Sequence, residues 1–180
     1  GKSTLMKLLY FDLFPTNGEV EIFGYSSKKI NQKNVYKIRR DLGIIFQDYK
    51  LIEQRSVFDN IAYGLKIRRE SGPEIRQKVD QVARKLDILE LLKRKPHQLS
   101  GGQRQRVALG RLLARNPSIH LFDEPLGNLD PHFRVEIRKE LAILHRENQK
   151  TSIYVTHEQA EAMALGERIC VLKNGHILQV

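Results

Sequence analysis

The first four residues of the chain have the types that phosphate binding requires. Gly1, Lys2, Ser3 and Thr4 match the last four positions of the phosphate-binding loop motif G-x-x-x-x-G-K-[ST]. In that motif glycine lets backbone N–H groups close on phosphate, lysine supplies charge to the β- and γ-phosphates, and a hydroxyl binds Mg²⁺. Apolar residues follow at helical spacing, so a helix N-terminus would point at the anion. Four residues alone are weak evidence, because a surface turn could carry the same letters by chance.

Two adjacent carboxylates follow an apolar segment in the second half of the chain. Asp123 and Glu124 come directly after 119–122, which is predicted as a strand despite the polar His120. Because the carboxyl ends of parallel strands face the ligand crevice, Asp123 could hold Mg²⁺ and Glu124 could polarise an attacking water. The structural alternative is a turn with two solvated acids before Pro125.

A Ser-Gly-Gly turn at 100–102 precedes a predicted helix and offers a second place for an anion. Its hydroxyl and unobstructed N–H groups would lie at the positive end of the helix dipole. An ordinary helix cap would use the same residues. Gln47, Asp130 and His157 also follow predicted strands or turns, and each taken alone is more typical of a cap or a turn.

The elements that would position these groups alternate between strand and helix. Apolar and β-branched runs predict strands at 20–22, 42–46, 119–122, 152–156, 169–172 and 176–180. Helical spacing predicts a helix after the first four residues and a helical region from about 57 to 96, with apolar stripes at 57–65 and 75–86. Further helices are predicted at about 100–115, 130–147 and 158–165. Strands separated by helices predict an α/β fold with a mainly parallel sheet, and Asn174-Gly175 predicts an antiparallel β portion. The helical block between about 49 and 114 is expected to be a helical subdomain inserted in the core.

Composition narrows the class of protein. With 180 residues, 41% hydrophobic and 29% charged, the chain fits one globular domain rather than a disordered or fibrous protein. No apolar run approaches the ~20 residues that cross a bilayer. The single cysteine, Cys170, excludes an internal disulfide framework and suits a reducing compartment. The net charge of +10 fits either a polyanionic partner or solvated helix faces.

Taken together, the motifs resemble the nucleotide-binding domain of ATP-binding cassette (ABC) transporters. The most specific feature is Leu-Ser-Gly-Gly-Gln at 99–103, which continues as Arg-Gln-Arg-Val-Ala. The diagnostic residues occur in the family's order, namely Lys2, Gln47, Ser100, Asp123, Asp130 and His157. The resemblance covers essentially all 180 residues. It implies a P-loop NTPase core that uses ATP and Mg²⁺.

The resemblance implies roles in ATP hydrolysis for five residues. Glu124 would be the general base, and His157 would contact the γ-phosphate and orient the reacting groups. Gln47 would touch Mg²⁺ or the attacking water. Ser3 and Asp123 would hold Mg²⁺ together with Gln47.

The same resemblance assigns nucleotide binding to three motifs. The residues concerned are Gly1, Lys2, Ser3, Thr4, Ser100, Gly101, Gly102, Gln103 and Asp130. The segment 100–103 would bind the γ-phosphate of ATP held by a second ATPase domain, and Asp130 would cross that dimer interface. One chain cannot easily bring two phosphate-binding helix ends to one triphosphate, whereas a head-to-tail pair can.

Different parts of the chain resemble different subfamilies. Residues 117–180 resemble ATPases of sugar and related solute importers, and 1–60 resemble the ABC ATPase of the bacterial cell-division machinery. The first resemblance implies import with transmembrane permease subunits and a solute-binding protein, and the second implies a non-transport ATPase that acts on a membrane complex. Either role implies a peripheral protein at the cytoplasmic face of the plasma membrane, with 47–60 meeting the membrane partner.

A nucleic-acid-associated ABC protein is a third hypothesis, which the charge of +10 favours. Such proteins carry two cassettes or a long coiled coil, so nucleic acid is not expected as a partner. The family's phosphate loop also has an earlier glycine, a preceding strand inside the sheet and an aromatic that stacks on adenine. We therefore expect 1–180 to be a single ATPase domain truncated within that loop.

Overall fold

The computed structural model describes residues 1–31, 33–127, 129 and 131–180, apart from the side chains at 132, 133 and 148. The helices are α1 (Lys2–Leu9), α2 (Val35–Arg39), α3 (Val57–Ile67), α4 (Gly72–Lys85), α5 (Gly101–Arg115), α6 (Pro131–Asn148) and α7 (Gln159–Leu165). The strands are β1 (Glu21–Ile22), β2 (Tyr25–Ser26), β3 (Leu42–Ile45), β4 (Ile119–Asp123), β5 (Thr151–Val155), β6 (Val171–Lys173) and β7 (His176–Gln179). Short 3₁₀ turns occur at Leu89–Leu91 and Pro96–Gln98.

The central sheet is parallel and has the order β3-β4-β5. Ile45 pairs with Phe122, and Phe122 pairs in turn with Tyr154. The three strands therefore end at one edge, where Asp123 pairs with Val155. The prediction of a mainly parallel α/β core is confirmed, and the segments that follow these strands are brought together.

Antiparallel pairs supply the remaining strands. β1 pairs with β2, and β6 pairs with β7 across Asn174 and Gly175, whose φ angles are 50° and 84°. Two successive left-handed residues form the kind of turn that joins strands with a right-handed twist. The antiparallel portion predicted from the sequence is therefore present.

Three helices lie between β3 and β4 in the chain and pack on one another. α4 begins with a capping box in which the Ser71 hydroxyl accepts from the Glu74 N–H, with Pro73 in the first turn. Apolar residues of α3, α4 and α5, including Ile61 and Val79, are fully buried in a cluster that also contains residues of β3, β4 and α6. The description of 49–114 as a separate subdomain remains a prediction.

The edge strand β5 borders a cleft of about 990 Å³, whose other wall includes 165–170 and Leu172. Cys170 lies on this wall and is exposed. Among the described residues, no helix is both long enough and apolar enough to cross a membrane. The predicted N-cap of α6, Asp130, lies outside the described residues.

Candidate active site

Lys2, the first residue of helix α1, lies at the carboxyl end of β5. The helix begins at Lys2, and the Gly1 carbonyl accepts from the Leu5 N–H at 3.0 Å. The Lys2 Nζ donates to the Thr156 carbonyl at 2.5 Å. Ser3 and Thr4 are exposed in the same first turn. Lys2 of the predicted phosphate loop therefore lies beside the turn that carries His157.

Glu124 and His157 are in direct contact at this edge. The Glu124 Oε2 lies 3.1 Å from the His157 Nδ1. Because a carboxylate can only accept, the imidazole contributes an Nδ1–H donor to this bond. The Glu124 N–H donates to the Val155 carbonyl at 2.9 Å, so the backbone also joins the ends of β4 and β5. Sequence reasoning named both residues, and the structure brings them together.

Asp123 ends β4 next to this pair. Burial, and then the neighbouring charge of Glu124, raise the pKa of Asp123, while Lys7 acts in the opposite direction. A cation placed there would stabilise the ionised carboxylate. The site therefore contains Asp123, whose ionised form would be stabilised by a cation. Beside it, the Glu124 carboxylate contacts the His157 imidazole.

Gln47 follows β3 and approaches the segment after Glu124. A Cβ added to Gly127 would lie 3.7 Å from the Gln47 Nε2 and 3.4 Å from the Glu124 carbonyl. The chain after Gln47 has left-handed backbone at Tyr49 (φ 59°) and Lys50 (φ 46°). Arg111 of α5 holds this loop by donating to the Lys50 carbonyl at 2.6 Å. The loop that carries Gln47 is therefore bonded to α5, the helix that Ser100 caps.

The Ser-Gly-Gly turn caps α5. The Ser100 hydroxyl accepts from the Gln103 N–H at 3.3 Å, and the Gln103 Oε1 accepts from the Ser100 N–H at 3.0 Å. Within the described part of the chain, no hydrogen bond or ion pair joins this turn to Lys2, Glu124 or His157. A Cβ added to Gly101 would meet a Leu129 methyl at 3.7 Å. The predicted nucleotide-binding residues therefore form two groups, and Asp130 lies outside the described residues.

Sequence reasoning missed a polar network behind His157. The Thr156 hydroxyl donates to the Glu161 Oε2 at 2.6 Å, and the Tyr154 hydroxyl donates to the same atom at 3.2 Å. Glu161 is only 2% exposed. From sequence alone, an acidic residue on a short helix is expected to be exposed to solvent, which is why Glu161 was not singled out. The signal that could have found it is the pair of hydroxyl residues shortly before it, Tyr154 and Thr156.

His120, the imidazole inside β4, belongs to the core. His120 is buried, and its ring packs edge-on against Phe122 with the ring centroids 6.0 Å apart. Burial, with smaller contributions from Lys150 and His145, lowers the pKa of His120 to about 4. The imidazole is therefore neutral near pH 7 and acts as a core residue.

The comparisons with known proteins assign the family. Residues 1–127 match the family model described as ABC transporter. The chain belongs to the ABC transporter family. Its fold and motifs make it a nucleotide-binding domain of that family, as the sequence resemblance implied.

Relatives and a solved structure agree with this assignment. The "sn-glycerol-3-phosphate import ATP-binding protein UgpC" of Yersinia enterocolitica is 48% identical over 100% of this chain, and that of Cupriavidus necator is 49% identical. The chain spans about half of these relatives, 48% of each. A solved structure described as a dimeric post-hydrolysis state of the ATP-binding cassette MJ0796 bound to ADP and Pi matches with a TM-score of 0.87 and 36% identity. That match covers 99% of this chain and 79% of the other.

Proposed function

We propose that this chain binds and hydrolyses ATP and thereby energises solute import through membrane permease subunits. The observation that carries the proposal is the meeting of Lys2, Glu124 and His157 at the carboxyl edge of the parallel sheet. This edge is where α/β sheets bind ligands. The names of the relatives, which are import ATP-binding proteins, support import as the process that is energised.

Lys2 would supply the charge that holds the β- and γ-phosphates. Its ammonium group already rests on a carbonyl oxygen, that of Thr156, so it can exchange this acceptor for phosphate oxygens at the same edge. Ser3 and Thr4 are exposed on the first turn of α1, where the N–H groups of the helix point outward. The Lys2 ammonium and the N–H groups at the start of α1 would thus bind the same phosphate groups.

Glu124 would accept the proton of the attacking water. Water would form a bond to the γ-phosphorus while the bond to the leaving ADP oxygen breaks, and the carboxylate would take the released proton. His157 donates to the Glu124 Oε2 from Nδ1, which leaves Nε2 for the opposite side of the ring. From this position His157 would bridge the base to the γ-phosphate and orient both.

The donor set at the site fits Mg²⁺. The Ser3 hydroxyl, the Gln47 amide and the Asp123 carboxylate offer oxygen ligands, which Mg²⁺ prefers, and Mg²⁺ completes its shell with phosphates and water. The raised pKa of Asp123, caused by burial and Glu124, marks a place where positive charge is favourable. When bound, the ion would neutralise charge on the phosphate oxygens. Ser3, Gln47 and Asp123 would hold it.

A second ATPase domain would complete each site. The N-terminus of α5 is formed by Ser100, Gly101, Gly102 and Gln103, and among the described residues no hydrogen bond links it to Lys2 or Glu124. A head-to-tail partner would present this turn to the γ-phosphate, and Asp130 would lie at the interface. The dimeric state of the solved ATP-binding cassette MJ0796 supports such an arrangement.

The membrane partners would be permease subunits, and a solute-binding protein would deliver the solute. The ATPase would lie peripherally at the cytoplasmic face of the plasma membrane. The relatives are named for sn-glycerol-3-phosphate, which makes that solute the first to test. Growth of a deletion strain on this solute, with and without the gene, would separate import from the alternative role in cell division. Normal uptake together with filamentous cells would contradict import.

The general-base assignment is tested by Glu124→Gln in the full-length gene product. We expect ATP binding to persist while turnover falls about 10²–10⁴-fold, because the amide cannot accept the water proton. Phosphate release measures turnover, and calorimetry measures ATP affinity. Glu90→Gln, on an exposed 3₁₀ turn, is the matched control. Wild-type turnover in Glu124→Gln would remove Glu124 from the chemistry.

A further inference from the structure

Helix α7 carries a buried carboxylate whose partners are hydroxyl groups. Glu161 is 2% exposed, and among the described residues it is the one acidic side chain that is buried. Within the described residues no cation pairs with it, and its Oε2 accepts from Thr156 and Tyr154. A buried carboxylate held by hydroxyls loses hydration without a counter-charge, so an apolar residue would serve packing better. The burial of Glu161 is therefore better explained by a role other than stabilising the fold.

The Thr156 hydroxyl is fixed from two sides. It donates to the Glu161 Oε2 at 2.6 Å and accepts from the Glu158 N–H at 3.0 Å. Because a carboxylate can only accept, Glu161 forces the hydroxyl proton toward itself and leaves an oxygen lone pair for Glu158. His157 lies between the two residues that this bond joins. The conformation of the turn that carries His157 therefore depends on the orientation of the Thr156 hydroxyl.

Tyr154 strengthens the same anchor. Burial, followed by the charge of Glu161, raises the pKa of the Tyr154 phenol, which keeps the group protonated and a donor. Its bond of 3.2 Å to Glu161 places the carboxylate against the end of β5. The carboxylate thus connects α7 to the strand and to the turn that follows it.

Two contacts of the candidate site depend on this turn. The Thr156 carbonyl accepts from Lys2 at 2.5 Å, and the His157 Nδ1 lies 3.1 Å from the Glu124 Oε2. We propose that Glu161 is a positioning residue, whose buried carboxylate orients Thr156 and so holds His157 against Glu124. This role rests on the proposed ATPase function and acts through His157 rather than on the substrate.

The test uses Glu161→Leu and Glu161→Gln in the full-length gene product, each alone and combined with His157→Ala. Leucine keeps the volume and removes the acceptor, whereas glutamine keeps one oxygen acceptor. We expect Glu161→Leu to lower kcat about tenfold to a hundredfold by displacing His157, with KM for ATP nearly unchanged. Glu161→Gln should recover most of this loss. In the His157→Ala background, Glu161→Leu should cause no further fall in single-turnover rate.

A second pair covers the case in which Glu161→Leu does not fold. Thr156→Val removes the hydroxyl at constant shape, and Thr156→Ser retains it. Valine should reproduce the loss in kcat, and serine should restore it. Equal losses in the presence and absence of His157, or wild-type kcat in both Thr156→Val and Glu161→Leu, would overturn the proposal.

An NMR measurement tests the positioning without ATP. The His157 Cε1–H resonance, identified by its loss in His157→Ala, should shift when Glu124→Gln is introduced, because the two side chains are in contact. In Thr156→Val this response to Glu124→Gln should disappear. A full response in Thr156→Val would contradict the role of the turn. Wild-type hydrolysis in Glu124→Gln alone would instead count against the ATPase chemistry, so the two failures are distinguishable.

Discussion

Glu124 combines its proposed role as general base with an unfavourable backbone conformation. Its φ of 46° is in the left-handed region, which costs a non-glycine residue about 1 kcal/mol or more. The bonds from its N–H to the Val155 carbonyl and from the Gly127 N–H to its own carbonyl keep it there. In this conformation the side chain contacts His157. The local strain is thus balanced by contacts that place the carboxylate.

Lys2→Ala should weaken ATP binding itself. The ammonium would contact phosphates in both the ground state and the transition state, so affinity and rate should fall together. A hydrogen bond to a charged group contributes about 1.5–3 kcal/mol, which corresponds to about tenfold to a hundredfold in Kd. Calorimetry on the full-length protein measures this, with Lys173→Ala on exposed β6 as the control. Unchanged ATP affinity would contradict the phosphate role.

His120 should make the protein less stable in mild acid. Its pKa of about 4 in the fold lies below the ordinary value of 6.5, so the unfolded chain binds the proton more readily. The stability that neutral His120 contributes is complete above pH 6.5 and falls by up to about 3 kcal/mol as pH drops toward 4. Urea unfolding of the wild type and His120→Leu between pH 7 and 4 measures the difference. A pH-independent difference between the two would refute the expected titration.

Helix α5 connects two motifs at the scale of elements. Ser100 caps the helix, and Arg111, about three turns later, donates to the carbonyl of Lys50 in the loop after Gln47. A helix is stiff over this distance. A displacement of the Ser-Gly-Gly turn would therefore move Arg111 and, through it, the loop that carries Gln47. A contact made at one end of the helix can thus alter the position of the residues at its other end.

Ser100→Asp separates the two interpretations of the Ser-Gly-Gly turn. Aspartate is as good an N-cap as serine and suits the helix dipole, so thermal stability should be kept. Its charge would oppose the γ-phosphate of an ATP held by a partner, so ATP-dependent dimerisation should be lost. Light scattering in the Glu124→Gln background measures the dimer. Ser100→Ala is the complementary control, because it removes the cap at a cost of about 1 kcal/mol without adding charge. Dimerisation of Ser100→Asp with ATP would favour a purely structural cap.

The sequence predicted elements well where periodicity was strong. β4 begins at Ile119 as predicted, whereas α2 was missed because its basic residues hide a short buried face made by Val35 and Ile38. The contact of Glu124 with His157 follows from strand register over a separation of 33 residues, which local patterns do not specify. The family resemblance supplied these two roles, but the Glu161 anchor required the positions of α7 and β5.

At the scale of the whole molecule, the two groups of candidate nucleotide residues lie on different parts of the chain. Lys2, Glu124 and His157 meet at the end of the parallel sheet, whereas Ser100 caps a helix of the block between β3 and β4. An ATP site would thus have two halves. Each chain would supply the half at the end of its sheet to one site, and the half at the N-terminus of α5 to the other site. Two chains related head to tail can join both pairs of halves, which makes each ATP a bridge between them.

This division predicts complementation between two inactive variants. Lys2→Ala damages the half-site at the sheet and Ser100→Asp damages the half-site at the helix, so a dimer of either variant alone would have two defective sites. In a mixed dimer, the intact Lys2 of one chain faces the intact Ser100 of the other, and both defects fall in the remaining site. Mixing the two full-length proteins should therefore restore part of the ATPase rate, whereas mixing Lys2→Ala with Glu124→Gln should not, because both changes lie in the same half-site. Phosphate release at fixed total protein measures the recovery. Failure to recover, despite light scattering that shows mixed dimers, would mean that Ser100 serves the ATP of its own chain or none.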